Sequence, residues 1–197
     1  MDIKAEDLIF NESELIKFRD ECRVNSKKVI FASGVFDILH TGHLRFLEKA
    51  RKRGDILIVG INDDEFAKTK GENRPIQNEY NRASLIAGFE CVSCVHIFDN
   101  GDDAKDIIRL IQPDVYIMST TSSEKPDQRS QHFELVKKLG GEVVVFDACS
   151  TSHSTTIIEK LKVQGKNNYL NKTLEMNNTL ARLGIKFKVK EVLSRMF

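Results

Sequence analysis

Five short apolar runs, rich in Val and Ile, punctuate the first three quarters of the chain, and a stretch with helical spacing or turn residues separates each from the next. The runs are Lys28–Ser33 (KVIFAS), Asp55–Asn62 (DILIVGIN), Val92–Phe98, Val115–Met118 and Glu142–Phe146. They are continuous rather than alternating, which is how strands covered on both faces read. Between the first two, His43–Arg53 places Leu44, Leu47 and Ala50 on one helical face before Gly54 stops it. Further helices are expected at Asn78–Glu90, Ala104–Ile111 and Ser130–Leu139, with a last one beginning near Ser154. Parallel strands need crossover connections, and these are right-handed. The expectation is an α/β fold, a doubly wound five-strand parallel sheet of Rossmann-like type with flanking terminal helices.

The first 25 residues carry Leu8, Ile9, Leu15, Ile16 and Phe18 at helical spacing. Beyond Gly165 the chain turns Asn-rich (KNNYLNKT), then shows two amphipathic stretches, Leu170–Leu183 and Lys186–Phe197, parted by Gly184. This divides the 197 residues into a helical extension (1–26), one α/β domain (27–164) and a helical tail (165–197). Apolar helices at both ends exceed what a five-strand sheet needs for cover, and excess apolar surface marks association, so a homodimer is expected.

Charge narrows the partners. Thirty Lys and Arg face 29 Asp and Glu, a net charge of +1. The balance is uneven, since Glu159–Phe197 carries nine basic and three acidic residues, leaving the rest mildly acidic. A basic helical tail without a recognition motif reads as a solvated face, so nucleic acid is not an expected partner. No apolar run nears the roughly 20 residues of a membrane helix, and the acidic start of the chain is unlike a signal peptide, so no membrane partner and a cytoplasmic location are expected. Cysteines at 22, 91, 94 and 149 are too few and too scattered for a disulfide framework. The pair Cys91 and Cys94 has metal-ligand spacing but lacks a second pair, and reads as small core residues rather than a zinc site.

Chemistry concentrates after the first strand. In an open parallel sheet, ligands bind beyond the carboxyl ends of the strands. The loop there reads Gly34-Val35-Phe36-Asp37-Ile38-Leu39-His40-Thr41-Gly42-His43. Two histidines flank Thr-Gly where a strand gives way to a helix N-terminus, and Gly42 lets an anion approach the backbone, so the segment reads as a phosphate site.

The stretch GVFDILHTGHLRFLEKARKRGDILIVGINDD resembles the first βαβ unit of the HxGH nucleotidyltransferases, in particular the group with glycerol-3-phosphate cytidylyltransferase and the adenylyltransferase of ADP-heptose synthesis. The resemblance continues through Lys70-Gly71-Glu72-Asn73-Arg74-Pro75, Asn81-Arg82 and Ser154-Thr155-Thr156-Ile157-Ile158, covering roughly residues 27 to 162. The Lys70–Pro75 segment and the Ser-Thr-Thr ending resemble the heptose enzyme more than the glycerol one. The resemblance implies transfer of a nucleoside monophosphate from a nucleoside triphosphate to a sugar or polyol phosphate, with release of pyrophosphate. ATP with heptose 1-phosphate is the favoured pairing. CTP with glycerol 3-phosphate, or a nucleotide-binding protein that has lost turnover, are the alternatives.

The residue types suit that chemistry. A phosphate oxygen is already ionised near neutral pH, so the acceptor needs no general base. The need is for positive charge and hydrogen-bond donors around a crowded anionic transition state. The resemblance assigns that task to His40 and His43, with Mg²⁺ sharing the charge. It implies nucleotide contacts from Gly34, Val35, Phe36, Gly42, Arg74 and Arg82, and from Ser154, Thr155 and Thr156, whose plainer reading is a helix N-cap. Asn62 and Asp64, after the second strand, are expected to shape the nucleotide pocket, and Lys70 to meet substrate. Asp37 is read as support for the loop. One departure stands out: Met118 occupies the position of a lysine usual in the group, in the run Ile117-Met118-Ser119-Thr120-Thr121. A methionine cannot donate to phosphate, so either Lys125 or another cation takes its place, or the acceptor differs, or activity is weakened; Met118 and Ser119 are expected at the substrate site.

Overall fold

The computed structural model describes residues 4–72, 74–98, 104–120 and 126–147. Its elements are a 3₁₀ turn at Ala5–Leu8, then α1 (Glu12–Val24), β1 (Val29–Gly34), α2 (Thr41–Arg51), β2 (Ile56–Asn62), α3 (Asp64–Lys68), α4 (Glu79–Ala87), β3 (Cys94–Phe98), α5 (Ala104–Ile111), β4 (Val115–Ser119), α6 (Pro126–Lys138) and β5 (Glu142–Phe146). The strands form one parallel sheet in the order β3-β2-β1-β4-β5. The doubly wound α/β sheet expected from the five apolar runs is the observed fold. Most boundaries shift by one to four residues, as β3 beginning at Cys94 rather than Val92 and α4 ending at Ala87 rather than Glu90 show. The helix placed at Ser130–Leu139 begins at Pro126, and the short α3 after β2 has no counterpart in the apolar periodicity because its signal is a cap: Asp63 Oδ1 accepts from Phe66 N at 2.7 Å.

Strand side chains alternate between two cores, as the two-residue period requires. Ile30, Ala32, Leu57, Val59, Ile61, Val115 and Ile117 meet Phe46 and Leu47 of α2 and Ala83 and Ile86 of α4 on one face. Val29, Phe31, Ile56, Ile58, Tyr116 and Met118 meet α1, α5 and α6 on the other. Gly60 in β2 is a packing requirement, since a Cβ there would lie 2.9 Å from both the Phe31 and Phe98 rings.

The expected N-terminal helix forms and its apolar side is spent within the domain. Leu15, Phe18 and Cys22 of α1 are buried in the second core, each large side chain contributing about 1.5–3 kcal/mol. Asn11 and Glu14 close a reciprocal capping box that starts it. Just before it, Phe10 N donates to Val95 O at 2.8 Å, covering the outer side of edge strand β3. Surplus apolar surface on this helix is therefore not a ground for self-association. The expected helix near Ser154 and the tail from 165 lie outside the described residues.

The paired cysteines divide between the faces. Cys94 is fully buried in the second core, whereas Cys91 packs against the first. Burial pushes the Cys94 thiol well up and the Cys91 thiol to about 12.

Candidate active site

The chain reverses direction across the sheet between β1 and β4, since β2 and β3 lie to one side of β1 and β4 and β5 to the other. The last paired residues of β1 and β4 are Ala32 and Ile117. Beyond them Gly34 and the half-buried Ser119 end their strands at the crevice where such sheets take ligands.

The 34–40 loop leads from β1 into α2, and both histidines, His40 at the end of the loop and His43 in the first turn of the helix, are set by the helix start. His40 is the N-cap residue of α2, with extended backbone, and its Nδ1 accepts from Gly42 N at 3.1 Å. An imidazole here performs the task usually given to Ser, Asp or Asn. Because Nδ1 accepts, the neutral ring carries its proton on Nε2. One turn on, the His43 ring stacks on that of His40, centroids 3.9 Å apart and planes at 23°. The Phe36 ring meets His43 edge-on at 5.3 Å. Phe36 has a left-handed backbone, φ 51°, and its ring lies over Gly34, where a Cβ would stand 3.0 Å from Phe36 Cε2. Gly42 is buried, its N–H turned to His40.

Two buried charges brace this loop from behind. Asp37, 2% exposed, accepts from Ile76 N at 2.7 Å and Gln77 N at 3.2 Å through Oδ1, while Oδ2 faces Arg74 Nη1 at 3.5 Å. Asp37 thus ties the histidine loop to the segment before α4. Arg82 on α4 is 0% exposed and spreads over three partners: Nε to Gln77 O at 3.0 Å, Nη1 to Val35 O, and Nη2 to Asp64 Oδ1 at 2.8 Å. Where the resemblance implies a cation facing nucleotide, the structure shows a fully buried guanidinium with a protein acceptor on each nitrogen. The sequence gives no sign of this, because helical spacing does not show that Asp64 and the Val35 carbonyl arrive on the same guanidinium. Glu79 was also missed; its Oε2 accepts from Asp64 N at 2.7 Å, fixing the start of α3 beside α4.

Among the remaining residues singled out from sequence, Val35 contributes its carbonyl to Arg82, and Asn62 ends β2 half-buried. Arg74 lies beside Asp37 with its side chain 12% exposed. Lys70 lies over the Phe66 ring, Nζ 4.1 Å from the centroid. Met118 is a correction. It is 4% exposed and packs in the second core, because it shares the parity of Tyr116 and so faces α1, α5 and α6, on the opposite side of the sheet from α2. Met118 is therefore not a substrate-facing residue. Ser154, Thr155 and Thr156 lie outside the described residues.

Among the described residues no group of three or more His, Cys, Asp or Glu side chains could hold a metal ion. The carboxylates nearest the histidine loop are committed, Asp37 to two backbone N–H groups and Arg74, Asp64 to Arg82. The described side chains do not form a Mg²⁺ cage. No helix among the described residues is long and apolar enough to cross a membrane.

The cytidylyltransferase-like family profile matches residues 31–161. Curated relatives include the Bifunctional protein HldE of Desulfatibacillum aliphaticivorans, 37% identical over 150 residues that make up 76% of this chain and 30% of that protein. The protein of the same name from Helicobacter hepaticus is 40% identical over 157 residues, 79% of this chain and 30% of the relative. The chain thus matches under a third of the length of these relatives. Among solved structures, the lipopolysaccharide core biosynthesis protein from Thermoplasma volcanium superposes with a TM-score of 0.52 at 29% identity, covering 64% of this chain and 99% of that one.

Proposed function

We propose that this chain, which belongs to the cytidylyltransferase-like family, transfers a nucleoside monophosphate from a nucleoside triphosphate to a sugar or polyol phosphate and releases pyrophosphate. The observation that carries the reading is the stacked His40–His43 pair at the N-terminus of α2, on the carboxyl edge of the sheet where β1 and β4 part. The phosphate oxygen of the acceptor attacks the α-phosphorus and the bond to the pyrophosphate oxygen breaks. No proton needs removing from an ionised phosphate, so the protein's contribution is donors and charge placed in advance. His40, held by Gly42 N through Nδ1, presents Nε2–H as such a donor. His43 lies against it and Arg74 adds positive charge from beside Asp37. Ser154, Thr155 and Thr156 complete the triphosphate site by resemblance alone.

ATP and heptose 1-phosphate are the proposed substrates. Supporting them are the Lys70–Pro75 and Ser154–Ile158 segments, the HldE relatives, and the lipopolysaccharide core biosynthesis protein among the structural neighbours. The proposed Mg²⁺ arrives on the triphosphate, in keeping with a small hard cation that is commonly held by substrate phosphates. A homodimer in the cytoplasm remains part of the proposal; among the described residues β5 is a sheet edge, with Val145 42% exposed. Light scattering near twice the 22.4 kDa chain mass supports the dimer, and the monomer mass overturns it.

The test is pyrophosphate release by purified protein with each of ATP, CTP, GTP and UTP, paired with heptose 1-phosphate, glycerol 3-phosphate and other sugar phosphates. Release with ATP and heptose 1-phosphate well above every other pair is expected. Turnover only with CTP and glycerol 3-phosphate overturns the substrate assignment, and no release with any pair overturns the reaction.

A further inference from the structure

The fully buried Arg82 is spent on chain path rather than on a surface. Two of its three partners are backbone carbonyls from separate segments, Gln77 and Val35, and the third is Asp64, whose side chain is 30% exposed. Arginine is charged at every accessible pH, and its planar fork can serve several acceptors at fixed angles. The Val35 carbonyl belongs to the peptide that enters Phe36. Phe36 holds φ at 51°, a region that non-glycine residues occupy only where surroundings over-determine it. That backbone turn brings the Phe36 ring, 6% exposed, over Gly34 and edge-on to His43, which in turn stacks on His40.

We propose that Arg82 is a positioning residue of the reaction: through the Val35–Phe36 peptide and the Phe36 ring it sets the His43 imidazole against His40. The proposal rests on the nucleotidyl-transfer reading for its kinetic consequence and on geometry alone for its structural one. A direct phosphate contact would need the guanidinium at the mouth of the crevice, whereas it is enclosed behind the loop with each of its nitrogens on a protein acceptor.

Arg82→Lys keeps a charge for Asp64 but cannot reach three acceptors with one ammonium. In the ligand-free variant, the His43 ring resonances in carbon–proton NMR should shift, while those of His96 on β3 and His132 on α6 stay in place. With substrates, kcat should fall at least tenfold while the KM for the triphosphate changes less than threefold. Phe36→Leu, which removes the ring and leaves the Arg82 bonds, should give the same two signatures. Combined, the two substitutions should lower kcat little more than either alone, because both interrupt one path. A folded Arg82→Lys protein with unmoved His43 resonances overturns the proposal, as does a KM rise above tenfold with kcat held, or additive losses in kcat. If Arg82→Lys does not fold, Phe36→Leu decides: an unmoved His43 overturns the proposal. If the parent releases no pyrophosphate with any substrate pair, the reaction reading fails and the NMR comparison still decides the positioning.

Discussion

The His40 and His43 rings stack with centroids 3.9 Å apart, yet only His40 also caps the helix that carries both, through Nδ1 and Gly42 N. The two histidines therefore differ in what their removal costs. His40→Ala deletes a cap, worth about 0.5–2 kcal/mol of stability, together with a donor. His43→Ala deletes no cap. Both should lower turnover by at least tenfold, since the loss of one preorganised donor to developing charge costs roughly 3 kcal/mol of barrier, about a hundredfold. Urea midpoints should fall clearly more for His40→Ala than for His43→Ala. Parental turnover in both variants would remove this loop from the chemistry.

Asp37 offers a second separation of stability from catalysis. Its Oδ1 satisfies the N–H groups of Ile76 and Gln77 inside the protein, and a buried donor left without an acceptor costs about 1–3 kcal/mol. Asp37→Ala should lower the urea midpoint more than Asp37→Asn, which retains an acceptor oxygen but loses the charge beside Arg74. The loop it holds ends at His40 and leads into the turn of α2 that carries His43, so kcat should fall in the same order. Equal midpoints for parent and Asp37→Ala would show that the tie between the 34–40 loop and the segment before α4 bears no load.

What the sequence disclosed and what it concealed divide along physical lines. Continuous apolar runs are produced by burial on both faces, so β1 to β5 and the parallel sheet could be read directly, and the loop after β1 followed from the rule that ligands gather at carboxyl ends. The burial of Arg82 was hidden because an arginine's surroundings depend on which distant carbonyls converge on it, here Val35 and Gln77, and no local pattern encodes that. Met118 was misread for a different reason. Its place at the end of β4 suits a ligand contact, but its parity with Tyr116 puts the side chain in the second core. Parity was available in the run Val115-Tyr116-Ile117-Met118; which face α2 would cover was not.

Buried thiols give the fold an alkaline signature. Burial raises the Cys22 thiol to about 11 from 9.0, and raises Cys94 in the same direction. Below pH 9 both folded and unfolded chains keep these protons. Above it the unfolded chain ionises first and binds fewer protons, so stability falls as pH climbs from about 9 toward 11. Cys22→Ala should flatten that decline in urea midpoints measured across the same window. At pH 8 the thiols of Cys22 and Cys94 should also resist iodoacetamide in the folded protein and react once it is unfolded, read by mass spectrometry. Rapid modification of Cys94 in the folded state would contradict its burial.

The position of Met118 turns a question about substrate into one about stability. A lysine there would have to place its ammonium among Tyr116, Ile58 and Val136, or drag its stem out past the end of β4. An unpaired charge in such surroundings is either neutralised or expelled, and both cost several kcal/mol. Met118→Lys should therefore lower the urea midpoint strongly and leave kcat/KM unimproved with heptose 1-phosphate and with glycerol 3-phosphate. Met118→Leu, which conserves volume and apolarity, should cost less than about 1.5 kcal/mol and leave both acceptors' kinetics near parental. The comparison separates packing from recognition, since a residue that contacted the acceptor would change KM on Met118→Leu without moving the midpoint. A stable Met118→Lys protein with a large gain in kcat/KM for either acceptor would place the side chain at the crevice and reverse its assignment to the core.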